Sequence, residues 1–180
     1  MRYLSLLLLV FLFTISAHSQ KPASAEQVLK EAQATAAKEN KKIFLIFHAS
    51  WCGWCHKMDT SMNDKSVKAF FDNNYVIRHL TVLESDNKKH LENDGANELM
   101  IKYNGKGQGI PYWLIFDKDG SFLFDSKRRA EGGGPETGNN VGCPANEEEV
   151  NYFVKVLKQT SPLTDEQLKL IYTVFRKNEH

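Results

Sequence analysis

The sequence predicts one α/β domain, and three observations lead to that expectation. Apolar residues at helical spacing alternate along the chain with short strand-like runs. One of those runs, Ile43-Phe44-Leu45-Ile46-Phe47, is continuous, and a turn signal at Asp117-Lys118-Asp119-Gly120 separates two further strand patterns. Alternation of this kind, with no internal repeat and no linker, belongs to a layered α/β domain. A chain of 180 residues suffices for one such domain. Its 42% hydrophobic and 25% charged content is close to the globular average, which excludes disorder and a multi-span membrane protein. Lys+Arg 23 against Asp+Glu 22 leaves a formal charge of +1, so no basic face is available for nucleic acid. Function must come from a local site and not from bulk electrostatics. Three cysteines are too few for a disulfide-stapled scaffold, and an odd number cannot all pair within one chain.

Residues 1–19 are expected to be a secretory signal peptide. Arg2 supplies the positive charge, residues 4–13 the apolar segment, and Ala17 and Ser19 the small residues before cleavage. The uncharged stretch 3–17 is shorter than the roughly 20 residues a spanning helix needs, so no stable membrane span is expected after cleavage. The expected domain is 20–180, placed outside the cytoplasm (periplasmic or secreted), where disulfides persist. Ser24-Ala25-Glu26-Gln27 has the form of a capping box. It opens a helix with Val28, Leu29, Ala32, Ala36 and Ala37 at helical spacing, ending near Asn40. The run 42–47 then reads as a strand buried on both faces. Helices are expected over 52–62 and 64–72, the second with Val67, Phe70 and Phe71 inward. A strand follows over 75–82, then a polar loop insertion at 84–95 and a short helix at 97–103. Strands 112–116 and 121–124 flank the turn as a hairpin. A loop opened by Gly132-Gly133-Gly134-Pro135 runs to Ala145. Asn146 caps a helix striped by Val150, Phe153, Val154 and Leu157, which Pro162 ends. A second capping box at Thr164 starts a last helix through Leu168, Ile171, Val174 and Phe175.

The chemistry-bearing stretch is His48-Ala49-Ser50-Trp51-Cys52-Gly53-Trp54-Cys55-His56, directly after the buried strand. Two thiols at i and i+3 that open a helix close into a small disulfide ring. In the reduced form, the unpaired amides and positive dipole end stabilise a thiolate on Cys52. Cys55, one turn in and expected to be more buried, keeps a higher pKa and resolves the mixed disulfide. Neither a zinc site nor a phosphate loop is favoured. Cys143 and scattered histidines supply no second ligand pair, and the glycine run at 132–134 lacks the Lys-Ser/Thr that grips phosphate. The five residues Cys52 to His56 also spell the attachment sequence of c-type haem, an electron-transfer alternative. A redox-inactive binding module is the other alternative.

From Lys42 to Met62 the chain resembles the thioredoxin superfamily active site. It is similar to secreted thioredoxin-like proteins of the kind represented by the C-terminal domain of the disulfide interchange protein DsbD. Gly109-Ile110-Pro111 before a strand is a second match, since thioredoxins place a cis-proline there, facing the disulfide. The separation from Cys52 is longer than in a minimal thioredoxin, and the insertion 84–95 accounts for the excess. The resemblance covers roughly residues 25–157. It implies a thioredoxin fold, a central mixed β-sheet flanked by helices, here with an extra C-terminal helix. It also implies a thiol-disulfide oxidoreductase that needs no cofactor or metal and works on protein thiols and disulfides with a redox partner protein. Catalytic roles fall to Cys52 and Cys55, and substrate binding to Trp51, Gly53, Trp54, Ile110 and Pro111. The neutral Gly53-Trp54 pair between the thiols favours reduction or isomerisation over oxidation.

One departure matters for mechanism. Thioredoxins hold a buried acid six positions before the first cysteine, and here that position is Ile46. Proton transfer to and from Cys55 is then expected to use water or a histidine, with His56 and His79 the candidates. His48 is read as a packed strand residue and Cys143 as a packed thiol.

Overall fold

A computed structural model of the protein describes residues 21–179, so the signal-peptide expectation lies outside the described residues. Helix α1 (Ala25–Glu39) starts at Ser24, whose hydroxyl accepts the Gln27 N–H at 3.2 Å, and it stops at Asn40 in a left-handed conformation. Only half of the expected capping box forms, because the Gln27 side chain turns to Glu31 instead. Ala32 and Ala36 are the buried stripe of this helix, and Ala37 faces solvent.

Four strands make the central sheet in the order β2-β1-β3-β4: β1 (Lys42–His48), β2 (Tyr75–Thr81), β3 (Tyr112–Phe116) and β4 (Phe122–Asp125). β2 runs parallel to β1, β3 antiparallel to β1, and β4 antiparallel to β3, so the sheet is mixed. The continuous apolar run in β1 follows from its central place. Successive side chains point to opposite faces, and helices cover both. Phe44 and Ile46 pack with Met58, Phe71, Trp113 and Phe153 on one face. Ile43, Leu45 and Phe47 pack with Ala32, Ala36 and Met100 on the other. The covering helices are α1 with α4 (Ala96–Lys102) on the second face. α2 (Gly53–Met62), α3 (Lys68–Asn74), α5 (Glu147–Thr160) and α6 (Asp165–Arg176) cover the first. Phe153 of α5 centres an aromatic cluster, with Phe175 at 4.8 Å, Trp113 at 5.6 Å, and Phe44 and Phe71 at 6.3 Å between ring centroids. Capping boxes at Asn146 with Glu149 and at Thr164 with Gln167 start the two C-terminal helices.

Four expectations need correction. α3 begins at Lys68 rather than at 64, because the Asp64 carboxylate takes the N–H and hydroxyl of Ser66 and closes a turn first. Val154 of α5 is only partly buried, and Val156 takes its place in the core. The insertion 84–95 is not all open loop: it contains a short 3-10 helix, Asp86–Leu91, and a buried Glu84. The segment before Ala145 carries a two-stranded ribbon, β5 (Lys127–Arg128) with β6 (Asn139–Asn140). Among the described residues no helix is long and apolar enough to cross a membrane.

Candidate active site

The central strand β1 ends at His48, and the loop 49–51 turns the chain into α2. Cys52 is the N-cap of that helix, and its Sγ accepts the Cys55 N–H at 3.1 Å. Capping is normally done by an oxygen that satisfies an orphan amide of the first turn. Here a sulfur does it, so charge on Cys52 meets a donor and the positive end of the helix. Cys52 and Cys55 form a disulfide with Cα atoms 5.3 Å apart. Contrary to expectation, the two cysteines are almost equally covered, at 3% and 2% exposure. The cap position, and not burial, distinguishes them.

Trp51 and Trp54 flank the pair and are exposed. The Trp51 indole donates to the Leu83 carbonyl at 2.9 Å, and the Lys57 ammonium lies 4.7 Å from the Trp54 ring centroid. Gly53 is exposed at the first turn of α2. The Ile110–Pro111 peptide is cis, and the Ile110 carbonyl oxygen stands 3.5 Å from Cys52 Sγ. Ile110 also packs on Ala49, Cys52 and Cys55. The two sequence motifs, far apart in the chain, therefore meet at the disulfide. Beside them opens a groove of about 630 Å³ lined by Trp54, Ile110, Pro111, Val141, Gly142 and Cys143, among others.

Several polar residues of the site had no distinguishing sequence signal. Glu84 is 3% exposed, and its carboxylate accepts both the N–H and the hydroxyl of Ser50. Burial pushes that carboxyl up, but the two Ser50 bonds, with Lys88 nearby, outweigh it and hold Glu84 below the usual range. It stays ionised and ties the insertion to the loop before Cys52. In the sequence, Glu84 looks like any solvated acid after a strand. Asp59, one turn beyond Cys55 on α2, accepts or shares a proton with His79 Nε2 at 2.8 Å. His79 is the register partner of Ile46 across β1 and β2. His56 instead lies exposed, its Nε2 3.1 Å from the Ser50 carbonyl. Among the described residues, no group of three or more His, Cys, Asp or Glu side chains is placed to hold a metal ion.

His48 is half-buried, its ring 5.0 Å from that of His79. Burial, and then the neighbouring His79, push its pKa below the ordinary histidine value, against the pull of Asp59 and Glu84. A folded state that resists protonation is stabilised by this group fully above the unfolded pKa of about 6.5. That contribution is lost as pH falls from there through the depressed folded value. The melting temperature is therefore expected to drop between pH 7.5 and 5.5, and His48→Gln should flatten the slope. Thermal melts by circular dichroism across that range check this. Parallel curves for the two proteins would show that His48 is not responsible.

Cys143 is a free, buried thiol with the Asn178 amide 3.4 Å from its sulfur. Burial pushes its pKa up to about 12. Packing was expected for it. Its place in the groove wall was not, since it is remote from both motifs in the sequence.

A mixed sheet with a Cys-x-x-Cys disulfide capping the helix after its central strand, opposite a cis-proline, defines a dithiol/disulfide protein of thioredoxin fold. The chain belongs to the thioredoxin-like family, whose model matches residues 24–118. Among solved structures, a disulphide isomerase from Xylella fastidiosa is similar at 20% identity, covering 89% of this chain and 95% of that one with a TM-score of 0.50. A DsbH oxidoreductase matches at 22% identity over 81% of this chain and 89% of its own, with a TM-score of 0.41. The exposed lipoprotein thioredoxin Etrx1 of Streptococcus pneumoniae matches at 17% identity over 73% and 89%, with a TM-score of 0.42. No curated protein matches the sequence. The first of these structures supports the fold. The chemistry rests on the residues themselves.

Proposed function

We propose that the protein is an extracytoplasmic thiol-disulfide oxidoreductase that exchanges electrons between the Cys52–Cys55 pair and protein disulfides, in the reducing or isomerising direction. The observation that carries this reading is the placement of Cys52 Sγ at the α2 N-terminus, on the Cys55 N–H and beside the Ile110 carbonyl. In the reduced protein, the Cys52 thiolate attacks one sulfur of the substrate disulfide. A Cys52–substrate disulfide forms and one substrate thiolate leaves. Cys55 gives up its proton and attacks Cys52 Sγ, which closes the Cys52–Cys55 bond and releases the second substrate thiolate. Two electrons pass to the substrate, and a partner dithiol must return them. In isomerisation the released substrate thiolate attacks back before Cys55 does.

Ile46 supplies no acceptor for the Cys55 proton. His79 is the favoured acceptor because the Asp59 carboxylate, on the same helix as Cys55, holds its ring, whereas His56 is exposed and bonds the Ser50 carbonyl. Trp51, Gly53, Trp54, Ile110 and Pro111 frame the disulfide and would meet the substrate chain. The extracytoplasmic location is supported by the pattern of residues 1–19. The reducing bias is supported by the uncharged Gly53-Trp54 pair.

The test is the reduction potential of the Cys52–Cys55 pair, measured by equilibration with glutathione or thioredoxin. A value between about −180 and −270 mV, the span from disulfide isomerases to thioredoxins, is expected. A value near about −120 mV, that of a strong oxidant, would reverse the proposed direction.

A further inference from the structure

Two chain segments wall the groove beside the disulfide. One is the loop 107–111. The other is 139–143, which leaves the β5–β6 ribbon. The Asn140 side chain joins them at two points, and Gln108 adds a third. The Asn140 amide nitrogen donates to the Gly109 carbonyl at 2.6 Å and to the Pro111 carbonyl at 3.0 Å. Its amide oxygen accepts the Gly142 N–H at 3.0 Å, and its backbone N–H donates to the Gln108 side-chain oxygen at 3.2 Å. A carboxamide offers two donor hydrogens and one acceptor oxygen, and here both donors cross to the loop. The carbonyls taken are those of the residues before and after Ile110. The Ile110 carbonyl between them is the one left turned toward Cys52 Sγ.

The segment that presents Asn140 is itself anchored. The Arg129 guanidinium makes two bonds, at 2.7 and 2.6 Å, to the buried Asp125 carboxylate. The Lys127 ammonium donates to the Glu136 carbonyl at 2.8 Å, and the Val141 N–H donates to the Ser126 carbonyl at 2.8 Å. Gly142 takes φ +55°, a left-handed conformation that residues with a side chain rarely adopt, and so lets the segment turn just after Asn140. A donor placed by a rigid element fixes its acceptors more tightly than a mobile loop fixes itself.

We propose that Asn140 is a positioning residue for recognition of protein disulfides. By holding the Gly109 and Pro111 carbonyls, it fixes the loop so that the Ile110 backbone is presented to an extended substrate segment lying along the groove. This inference rests on the oxidoreductase reading above and adds to it the residue that orients the substrate-facing loop. A polypeptide that pairs with the loop depends on Asn140. A small disulfide that reaches only Cys52 depends on it far less.

The experiment compares steady-state reduction of insulin disulfides with reduction of the small aromatic disulfide DTNB, with dithiothreitol as electron source, for wild type, Asn140→Ala and Asn140→Asp. Losing the two donor bonds is expected to raise KM for insulin roughly tenfold with kcat little changed. The aspartate should be the worse variant, because it turns an acceptor toward two carbonyls. The insulin-to-DTNB ratio of kcat/KM should fall by roughly tenfold, a change that general loosening of the fold would not produce. A ratio within twofold of wild type, or a loss in kcat alone, would overturn the proposal. If circular dichroism shows that neither variant folds, Asn140→Ser and Gln108→Ala are compared instead. The bond from the Asn140 N–H to Gln108 is not the one invoked, so Gln108→Ala is a control for general loosening and should keep the wild-type ratio. The deciding variant is Asn140→Ser, whose single hydroxyl hydrogen cannot hold both carbonyls, and an unchanged ratio there overturns the proposal equally. A wild type inert toward both substrates would instead overturn the oxidoreductase reading, and this inference with it.

Discussion

Replacing Cys55 by Ser is expected to leave the protein covalently attached to its substrates through Cys52, as mixed disulfides that survive non-reducing electrophoresis. The first step needs only the Cys52 thiolate, and what stabilises it, the amide and dipole at the α2 N-terminus, is untouched by the substitution. The second step loses its attacking sulfur and stops. Cys52→Ser removes the first step instead, so it should capture nothing. Turnover should fall by roughly a thousandfold or more in both variants, because the two thiols act as a unit. Equal trapping by Cys52→Ser would exchange the roles of the two cysteines. That outcome would also mean that capping geometry does not decide which sulfur attacks.

Placing an acid at the family position, Ile46→Asp, should lower stability by about 3 kcal/mol or more, because a carboxyl would replace an apolar side chain in a sealed site. Ile46 is 1% exposed and packs among Met58, Trp113 and other core residues. Its neighbour across the parallel strand, His79, is already held by Asp59. An unpaired carboxyl there should titrate well above its usual range. If delivery of the Cys55 proton limits turnover, the variant that still folds should be faster than wild type near neutral pH. His79→Ala should slow the resolving step, because it removes the acceptor held by Asp59. His56→Ala should leave that step unchanged. Chemical denaturation and pH–rate profiles for insulin reduction check both halves. Profiles insensitive to either histidine, with no gain from the aspartate, would show that water alone carries the proton.

How far the molecule could be read in advance depended on how local each signal was. β1 was legible because a strand covered on both faces has to be apolar at every position, and 43–47 are. α2 and its disulfide were legible because the whole device lies within four consecutive residues, and Ile110-Pro111 because its tripeptide is short and distinctive. Asn146 and Thr164 cap their helices within the first turn, and the expected Thr164 box formed, whereas the Ser24 box formed only by half because Gln27 turned to Glu31. The parts that were missed depend on distant partners. The ribbon strands are two residues each and carry no periodicity. Glu84 is buried only because Ser50 lies across from it. Asp59 gains its role from His79 on another strand. Asn140 joins loops that no spacing in the sequence places side by side.

A thioredoxin-fold chain with a Cys52–Cys55 disulfide carries a third sulfur in the wall of its own groove. Because the Cys143 thiol holds its proton to about pH 12, it is not a nucleophile under the conditions in which Cys52 works. An incoming disulfide therefore meets one competent attacker where it might have met two. In the proposed reaction this disfavours both a dead-end crosslink to substrate at Cys143 and scrambling of the Cys52–Cys55 pair from within. Discrimination among the three sulfurs is thus set by what surrounds each: a helix end for one, its ring partner for the second, and a dry wall for the last.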